Sequence, residues 1–171
     1  MTSPLENLAG PGKALSAEPP DARELEGLKR SGLARLKDAK NVSLSLESRF
    51  DLAYNAAHAL SLAALRGKGY RAGHRYIVFQ VLPHTLGLGP EVWRVLDKCH
   101  HQRNVAEYEG QLDVSERLVT DLIDACADDA DAHDRAPSGS EWWGVGAGQA
   151  VKPPSATRSA PVTKEASGLA R

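Results

Sequence analysis

The chain has 171 residues, of which 42% are hydrophobic and 25% are charged, with 15 Gly and 10 Pro. This length and composition are typical of one globular domain, and they exclude a large multidomain enzyme as well as a collagen-like or low-complexity chain. Because 21 Lys and Arg offset 22 Asp and Glu, leaving a formal net charge of −1, a global attraction to nucleic acid or anionic lipid is excluded and any basic patch must be local.

The predicted organisation is one helical domain between two tails. Residues 1–20 contain four prolines and little hydrophobic periodicity, and residues 135–171 are rich in Ser, Gly, Ala and Pro. Both compositions are typical of flexible segments. Residues 21–134 carry nearly all of the periodic apolar pattern, so the function is expected to lie there.

Three helices are predicted in the first part of this domain. The first covers residues 21–41, where leucines recur near helical spacing, although Gly27 and Gly32 weaken the pattern. The second, residues 46–65, is the strongest in the chain, because apolar residues recur every three and four positions and a serine before it is placed to cap it. The third covers residues 76–82 and is disturbed at its end by proline.

Two more helices complete the domain. The fourth begins at Pro90, in the first helical position that favours proline, and ends at Gly110. The fifth opens at Asp113 or Ser115 and carries an apolar stripe. No segment shows strand-like alternation flanked by hairpin turns. The predicted fold class is therefore all-α, an antiparallel bundle of four to five helices joined by short loops.

The cellular compartment is predicted from what the sequence lacks. The N-terminal segment has neither the basic start nor the apolar stretch of a secretory signal, and no segment reaches the roughly 20 apolar residues that a membrane-spanning helix needs. Cys99 and Cys126 do not form a CxxC pair and are expected to be reduced, buried thiols. We expect a cytoplasmic protein that does not associate with membranes.

The fourth predicted helix carries the clearest functional clue, Arg103. At 100° per residue it falls near the middle of an apolar face. That face consists of Val92, Val95, Leu96, Cys99 and Ala106. A guanidinium cannot shed its proton and is costly to desolvate alone. Arg103 is therefore expected to have an anionic partner, a wet cleft or a ligand phosphate.

Side chains beside Arg103 on the same helix supply other groups for a reaction. Arg103 can clamp a phosphate, Asn104 and Tyr108 can hydrogen-bond a substrate, and His100 or His101 can exchange protons near neutral pH. These are the groups that a metal-free phosphodiester cleavage needs.

A structural role is the alternative interpretation of the same arginine. Arg103 can pair with Glu107 one turn later and with an acid from another helix such as Asp51, and so merely close the bundle.

A second candidate surface is the loop GKGYRAGHR, the densest basic patch of the chain. Its cations are Lys68, Arg71, His74 and Arg75, and tyrosines are interleaved with them. Such a patch can track an RNA backbone while an aromatic ring stacks on a base. The alternative is an ordinary polar loop.

Two other features receive weaker interpretations. Asp124, Asp128, Asp131 and His133 have spacings that can reach a cation, but they lack the loop geometry of a calcium site, so a solvated acidic face is expected. The pair Trp142–Trp143 is expected to dock on a partner or on the bundle itself.

The segment SRFDLAYNAAHALSLAALRGKGYRAGHRY, followed by HHQRNVAEYEG, resembles a HEPN domain. The resemblance covers residues 44–110, with the next helix added by architecture. The motif of that family is an arginine, a polar residue and then a histidine several positions on. Arg103 and Asn104 fit the first two places, and Tyr108 stands where the histidine would fall.

The resemblance implies a small dimeric helical protein that cleaves RNA without metal ion or cofactor, at a composite site where two motif helices meet. It also implies a toxin–antitoxin or defence pair with a nucleotidyltransferase-type antitoxin. Arg103 would hold the scissile phosphate, Asn104 and Tyr108 would orient the substrate, and His100 or His101 would replace the motif histidine. A chain that has lost cleavage would keep the dimer and the RNA groove.

Two functions of other classes stay open at this point. One is a non-catalytic interaction or dimerisation module, in which the polar cluster is structural. The other is a helix-turn-helix DNA-binding protein, because VFQVLPHTLGLGPEVWRVLDKCHHQRN predicts a helix, a tight turn and a second helix that carries basic residues.

Overall fold

The protein is mainly helical, as predicted. A computed structural model describes residues 3–110 and 113–135. The predicted C-terminal tail, apart from residue 135, and the Trp142–Trp143 pair lie outside the described residues. The elements in the described ranges are, in order, α1 (Pro4–Leu8), β1 (Leu15–Ala17), α2 (Ala22–Ala39), α3 (Leu46–Gly67), β2 (Tyr70–Ala72), α4 (Arg75–Gln80), α5 (Leu82–Thr85), α6 (Pro90–Glu109) and α7 (Glu116–Arg135).

The four long helices lie close to their predicted positions because their ends carry strong local signals. Asp21 caps α2 and Ser45 caps α3, each accepting hydrogen bonds from the backbone of the first turn. Pro90 occupies the start of α6, and Gly110 ends it with a left-handed φ of 70°. The predicted third helix is instead divided into α4 and α5, because Pro83 lacks an N–H and cannot continue the ladder of α4.

The N-terminal segment corrects a prediction, because residues 4–17 are not a flexible tail. Ser3 and Glu6 form a capping box around α1. Strand β1 pairs antiparallel with β2, with Leu15 opposite Ala72. Leu5 and Leu15 are buried in a small second core. The sequence did not reveal these elements because a five-residue helix and three-residue strands are too short to show periodicity.

Arg66, near the C-terminal end of α3, fastens this segment to the rest of the protein. Its side chain is only 1% exposed. The guanidinium donates to Glu24 Oε2 at 3.0 and 3.1 Å and to Glu18 Oε1 at 3.3 Å. It also donates to the backbone carbonyls of Glu18, Pro19 and Tyr70. With carboxylates and carbonyls around it, this buried cation has the partners that its desolvation demands.

The main core surrounds α3, which packs against α2 and α7 and also contacts α4, α5 and α6. Helix α2 approaches α3 closely at Gly32. A Cβ atom there would lie 2.7 Å from Leu60 Cγ and 3.3 Å from the Ala56 carbonyl oxygen. Gly27 lies in the same helix, and a Cβ atom built on it would meet nothing within 4 Å. The two glycines that weakened the helix prediction therefore have different roles.

We expect opposite effects from alanine at these two glycines. Gly27→Ala should raise the free energy of unfolding by about 0.5–1 kcal/mol, through helix propensity alone. Gly32→Ala gains the same propensity but forces Leu60 or the helix pair to shift, so it should lower that free energy by about 1–2 kcal/mol. Urea denaturation of both variants checks this, and equal effects would contradict the close helix approach.

A buried carboxyl lies where α7 packs on α3. Asp129 is 0% exposed; its Oδ2 accepts a hydrogen bond of 2.7 Å from Ser61, while its Oδ1 has no hydrogen-bond partner. His133 Nε2 approaches Oδ1 only to 4.0 Å, because it lies 2.6 Å from the Leu60 carbonyl oxygen, which accepts its hydrogen. Burial raises the pKa of Asp129 to about 7. The contact with His133 is therefore not an ion pair.

This carboxyl should make stability depend on pH. The folded state retains the proton up to about pH 7, whereas the exposed carboxyl has a pKa near 3.8. Between these values the folded state binds more protons, so its stability falls as pH rises. Compared with Asp129→Asn, the natural protein should lose up to roughly 4 kcal/mol of unfolding free energy between about pH 4 and pH 8. Urea denaturation across this range checks it, and a constant difference would contradict it.

In the described ranges, no helix combines the length and the apolar composition needed to cross a membrane. Cys99 and Cys126 are buried and free, as expected. Burial raises the pKa of both thiols, that of Cys99 to about 12. Neither thiol is therefore in the reactive thiolate form near neutral pH.

Candidate functional site

Polar and aromatic side chains from three helices meet around the ring of Tyr54. Tyr54 and His58 are one turn apart on α3 and therefore share a face, and so do His100 and Asn104 on α6. Helix α4 brings its first and last turns to the same place. We call this group the Tyr54 cluster; its members are Tyr54, His58, Arg75, Tyr76, Phe79, His100, Arg103 and Asn104.

His100 is held on three sides. Its Nδ1 lies 2.7 Å from the Tyr54 hydroxyl, its Nε2 lies 3.1 Å from Asn104 Nδ2, and its ring stacks on Tyr76 with centroids 4.8 Å apart. Because the Asn104 amide donates to Nε2, the neutral ring carries its hydrogen on Nδ1 and donates it to Tyr54. Burial, and next the charge of Arg103, lower the pKa of His100. His100 is thus a neutral imidazole with a basic Nε2 near pH 7.

Two guanidiniums lie against the buried ring of Tyr54. The Cζ atom of Arg103 is 5.1 Å from the ring centroid and that of Arg75 is 5.6 Å from it, both within cation–π range. Arg103 also forms an ion pair of 3.0 Å with Glu107, and Arg75 donates to Asn55 Oδ1 at 3.3 Å. Within the described part of the chain Arg75 has no ion pair. The two cations thus converge on one ring, and of the two only Arg103 has a carboxylate partner among the described residues.

His58 is a member of the cluster that the sequence did not predict. Its ring packs edge-on against Phe79, with centroids 5.9 Å apart. Burial lowers the pKa of His58 to about 4, with further contributions from the nearby Arg75, Arg103 and His100. The spacing of four residues from Tyr54 indicates a shared face, but no sequence pattern showed that α4 and α6 would pack against that face.

The structure brings only part of the predicted catalytic set together. His100, Arg103 and Asn104 belong to the cluster, whereas His101 is exposed and Tyr108 is 90% exposed. Tyr108 follows Arg103 by five positions, which turns it roughly 140° around the helix. Its position in the chain matches the family motif, but its side chain does not reach the neighbours of Arg103.

The predicted structural partners of Arg103 also differ. The pair with Glu107 is present, and the Glu107 side chain is 56% exposed. Asp51 is exposed and takes no part in an ion pair among the described residues; its backbone carbonyl accepts from Asn55. The Tyr54 ring occupies the place beside Arg103 that the sequence reasoning assigned to a second acid.

The four cations of the predicted basic patch have different surroundings. Lys68 caps the end of α3, and burial lowers its pKa. His74 caps α4 by accepting from the backbone of Ile77. Arg71 is bound to Glu18 by two hydrogen bonds of 2.6 and 2.7 Å, and Arg75 contacts Tyr54. The partner of Arg71 comes from the N-terminal segment that was expected to be a tail.

The geometry gives less support to a metal-ion site and to the binding of duplex DNA. Asp124, Asp128 and Asp131 are exposed, and the structurally described ranges contain no group of three or more His, Cys, Asp or Glu placed to hold a metal ion. Arg94 and Lys98, the basic residues of the predicted DNA-reading helix, are exposed on α6. Duplex binding through them stays a prediction.

Comparison with known proteins returns no match. No protein-family model, curated protein or solved structure matches the chain. The chemistry of the Tyr54 cluster is therefore derived from its side chains. It combines two cations that can bind a phosphate, a neutral imidazole that can accept a proton, and an amide that can hydrogen-bond a hydroxyl.

The electrostatic coupling inside the cluster can be measured. Since the charge of Arg103 lowers the pKa of both His58 and His100, Arg103→Met should raise both values by about half a unit to one unit. NMR titration of the histidine ring carbons checks this. Arg94→Met, which removes an exposed cation from the same helix, is the control and should leave both values unchanged. Equal shifts in the two variants would contradict the coupling.

Proposed function

We propose that the Tyr54 cluster binds the phosphodiester backbone of RNA and cleaves it without a metal ion, as the HEPN resemblance implies. The observation that carries this proposal is the convergence of Arg75 and Arg103 on one aromatic ring beside the neutral imidazole of His100. Guanidiniums bind phosphate in a bidentate fashion.

In the proposed reaction His100 is the general base. The 2′-hydroxyl of RNA would replace Asn104 at Nε2, give up its proton there and attack the adjacent phosphorus. The bond from phosphorus to the 5′-oxygen of the next nucleotide would break, that oxygen would take up a proton from water, and a 2′,3′-cyclic phosphate would remain. Arg103 and Arg75 would bind the phosphate oxygens, which gain negative charge as the attack proceeds. Tyr54 would keep His100 in the correct tautomer through the hydrogen bond at Nδ1.

The proposal includes the setting that the resemblance implies. The protein would be a cytoplasmic antiparallel helical bundle acting as a dimer, in a toxin–antitoxin or defence pair with a nucleotidyltransferase-type antitoxin. His101 and Tyr108 are exposed on α6, outside the Tyr54 cluster. In a composite site they would serve the second copy, where they can contact RNA that is bound to the first.

A non-catalytic interaction module is the second candidate, and one observation favours it. Both ring nitrogens of His100 already have partners inside the protein, and Arg103 is paired with Glu107. In this second candidate the network has only a structural role, which is to hold α6 against α3. In that case the removal of the guanidinium would destabilise the protein and have no effect on RNA.

A cleavage assay distinguishes the two candidates. The full chain, incubated with single-stranded RNA and a chelator, should cleave it and should leave the matching DNA intact because DNA lacks the 2′-hydroxyl. Arg103→Met and His100→Gln should each lower the cleavage rate by about 100-fold or more. Arg103→Lys, which keeps the charge but loses the bidentate geometry, should be intermediate.

Arg94→Met is the matched control and should cleave at the natural rate. Thermal unfolding of every variant shows whether the loss of activity is separate from the loss of fold. Natural protein that neither cleaves nor binds RNA would overturn the proposal. Arg103→Met protein that retains full cleavage would overturn the assigned site.

A further inference from the structure

His58 is the histidine of the Tyr54 cluster that the proposed cleavage does not use. It comes from α3, whereas His100 comes from α6, yet both rings pack edge-on against Phe79. The centroid distances to Phe79 are 5.9 Å for His58 and 6.4 Å for His100, with interplanar angles of 84° and 66°. Two imidazoles from different helices therefore lie against one phenyl ring, beside the ring that holds both guanidiniums.

The charges that face the two imidazoles differ. His100 is influenced by Arg75 and Arg103 and also by the carboxylates Asp97 and Glu107 of its own helix. His58 is influenced by Arg75 from α4 and by Arg103 and His100 from α6, and no carboxylate opposes them. All the charge effects on His58 thus favour its neutral form, and burial acts in the same direction.

An anion bound to Arg75 and Arg103 would reverse this balance. It would offset the two cations that add to the effect of burial on His58, and it would add a negative charge that favours the protonated ring. A nearby opposite charge favours the charged form of a titratable group. The pKa of His58, which starts at about 4, would therefore rise toward physiological pH.

We propose that His58 is a further member of the site and that the binding of a phosphate-type anion by Arg75 and Arg103 draws a proton onto His58. The inference rests on the proposed phosphate-binding role of the cluster and not on the cleavage step. A protonated His58 would add a third positive charge to the cluster, on the Phe79 ring that packs against Tyr54. Together with neutral His100, it gives the site a proton donor and a proton acceptor on two different helices.

Sulfate is the probe, because it has the shape and charge of a phosphate group and no titratable proton near neutral pH. The full chain is labelled with ¹³C in its histidine rings. Its pH titration is followed by NMR in sodium sulfate and, at matched ionic strength, in sodium chloride. The spectrum of His58→Gln identifies the His58 signal. We expect sulfate to raise the pKa of His58 by about one unit or more relative to chloride.

Calorimetry in two buffers of different ionisation enthalpy measures the same coupling as protons taken up per sulfate bound. At about pH 5.5 the natural protein should take up a substantial fraction of one proton, and His58→Gln should take up clearly less while still binding sulfate through its two arginines. His84→Gln is the matched control, because His84 is exposed at the end of α5, and it should behave as the natural protein does.

The outcomes separate the inference from the function on which it rests. Sulfate binding with an unchanged pKa of His58, or with equal proton uptake in His58→Gln, overturns the inference and leaves the phosphate site in place. No sulfate binding overturns the inference. If the natural protein also fails to bind RNA, the proposed function is overturned with it.

Discussion

A guanidinium inside a helical core needs partners for its charge, and this requirement shapes the protein. Among the described residues three arginines are buried or partly buried, and each connects α3 to another element. Arg49 is buried, donates to the Ala39 carbonyl and pairs with Glu116 at 2.7 Å, which joins α3 to the ends of α2 and α7. Arg66 holds the N-terminal segment. Arg103 differs from both, because it lies on an aromatic ring, is 27% exposed and pairs with a carboxylate that faces solvent. A charge with such replaceable partners is suited to a ligand.

The long helices could be predicted because their signals are local. A capping Asp or Ser, a proline at the first helical position and a glycine in a left-handed conformation each mark an end within a few residues. The short elements could not be predicted in this way. Strands β1 and β2 have three residues each, and they exist because they pair with one another and cover a second core. Leu15 is buried only through that pairing, so its local sequence carries no sign of it.

The candidate site also contains residues that local sequence predicts and residues that only tertiary packing brings together. His100, Arg103 and Asn104 could be grouped from spacing alone, since positions three and four apart share a helix face. Tyr54 and His58 also share a face, yet only the packing of α3 against α4 and α6 turns that face into part of a site. The basic loop shows that counting charges in a segment does not predict which of its cations are free to bind a ligand. Its density of cations was evident in the sequence, but the acids that bind Arg71 lie about 50 positions earlier in the chain.

The anchoring of the N-terminal segment has a practical consequence for anyone who shortens this chain. A recombinant version that started at Asp21 would look reasonable, because it keeps every long helix. It would nevertheless remove Glu18 and the three leucines that pack in the second core with Leu65, namely Leu5, Leu8 and Leu15. The buried guanidinium of Arg66 would lose one of its two carboxylate partners, and an apolar surface would be exposed to solvent. Aggregation and a low yield would then be caused by the truncation and would not be properties of the full chain.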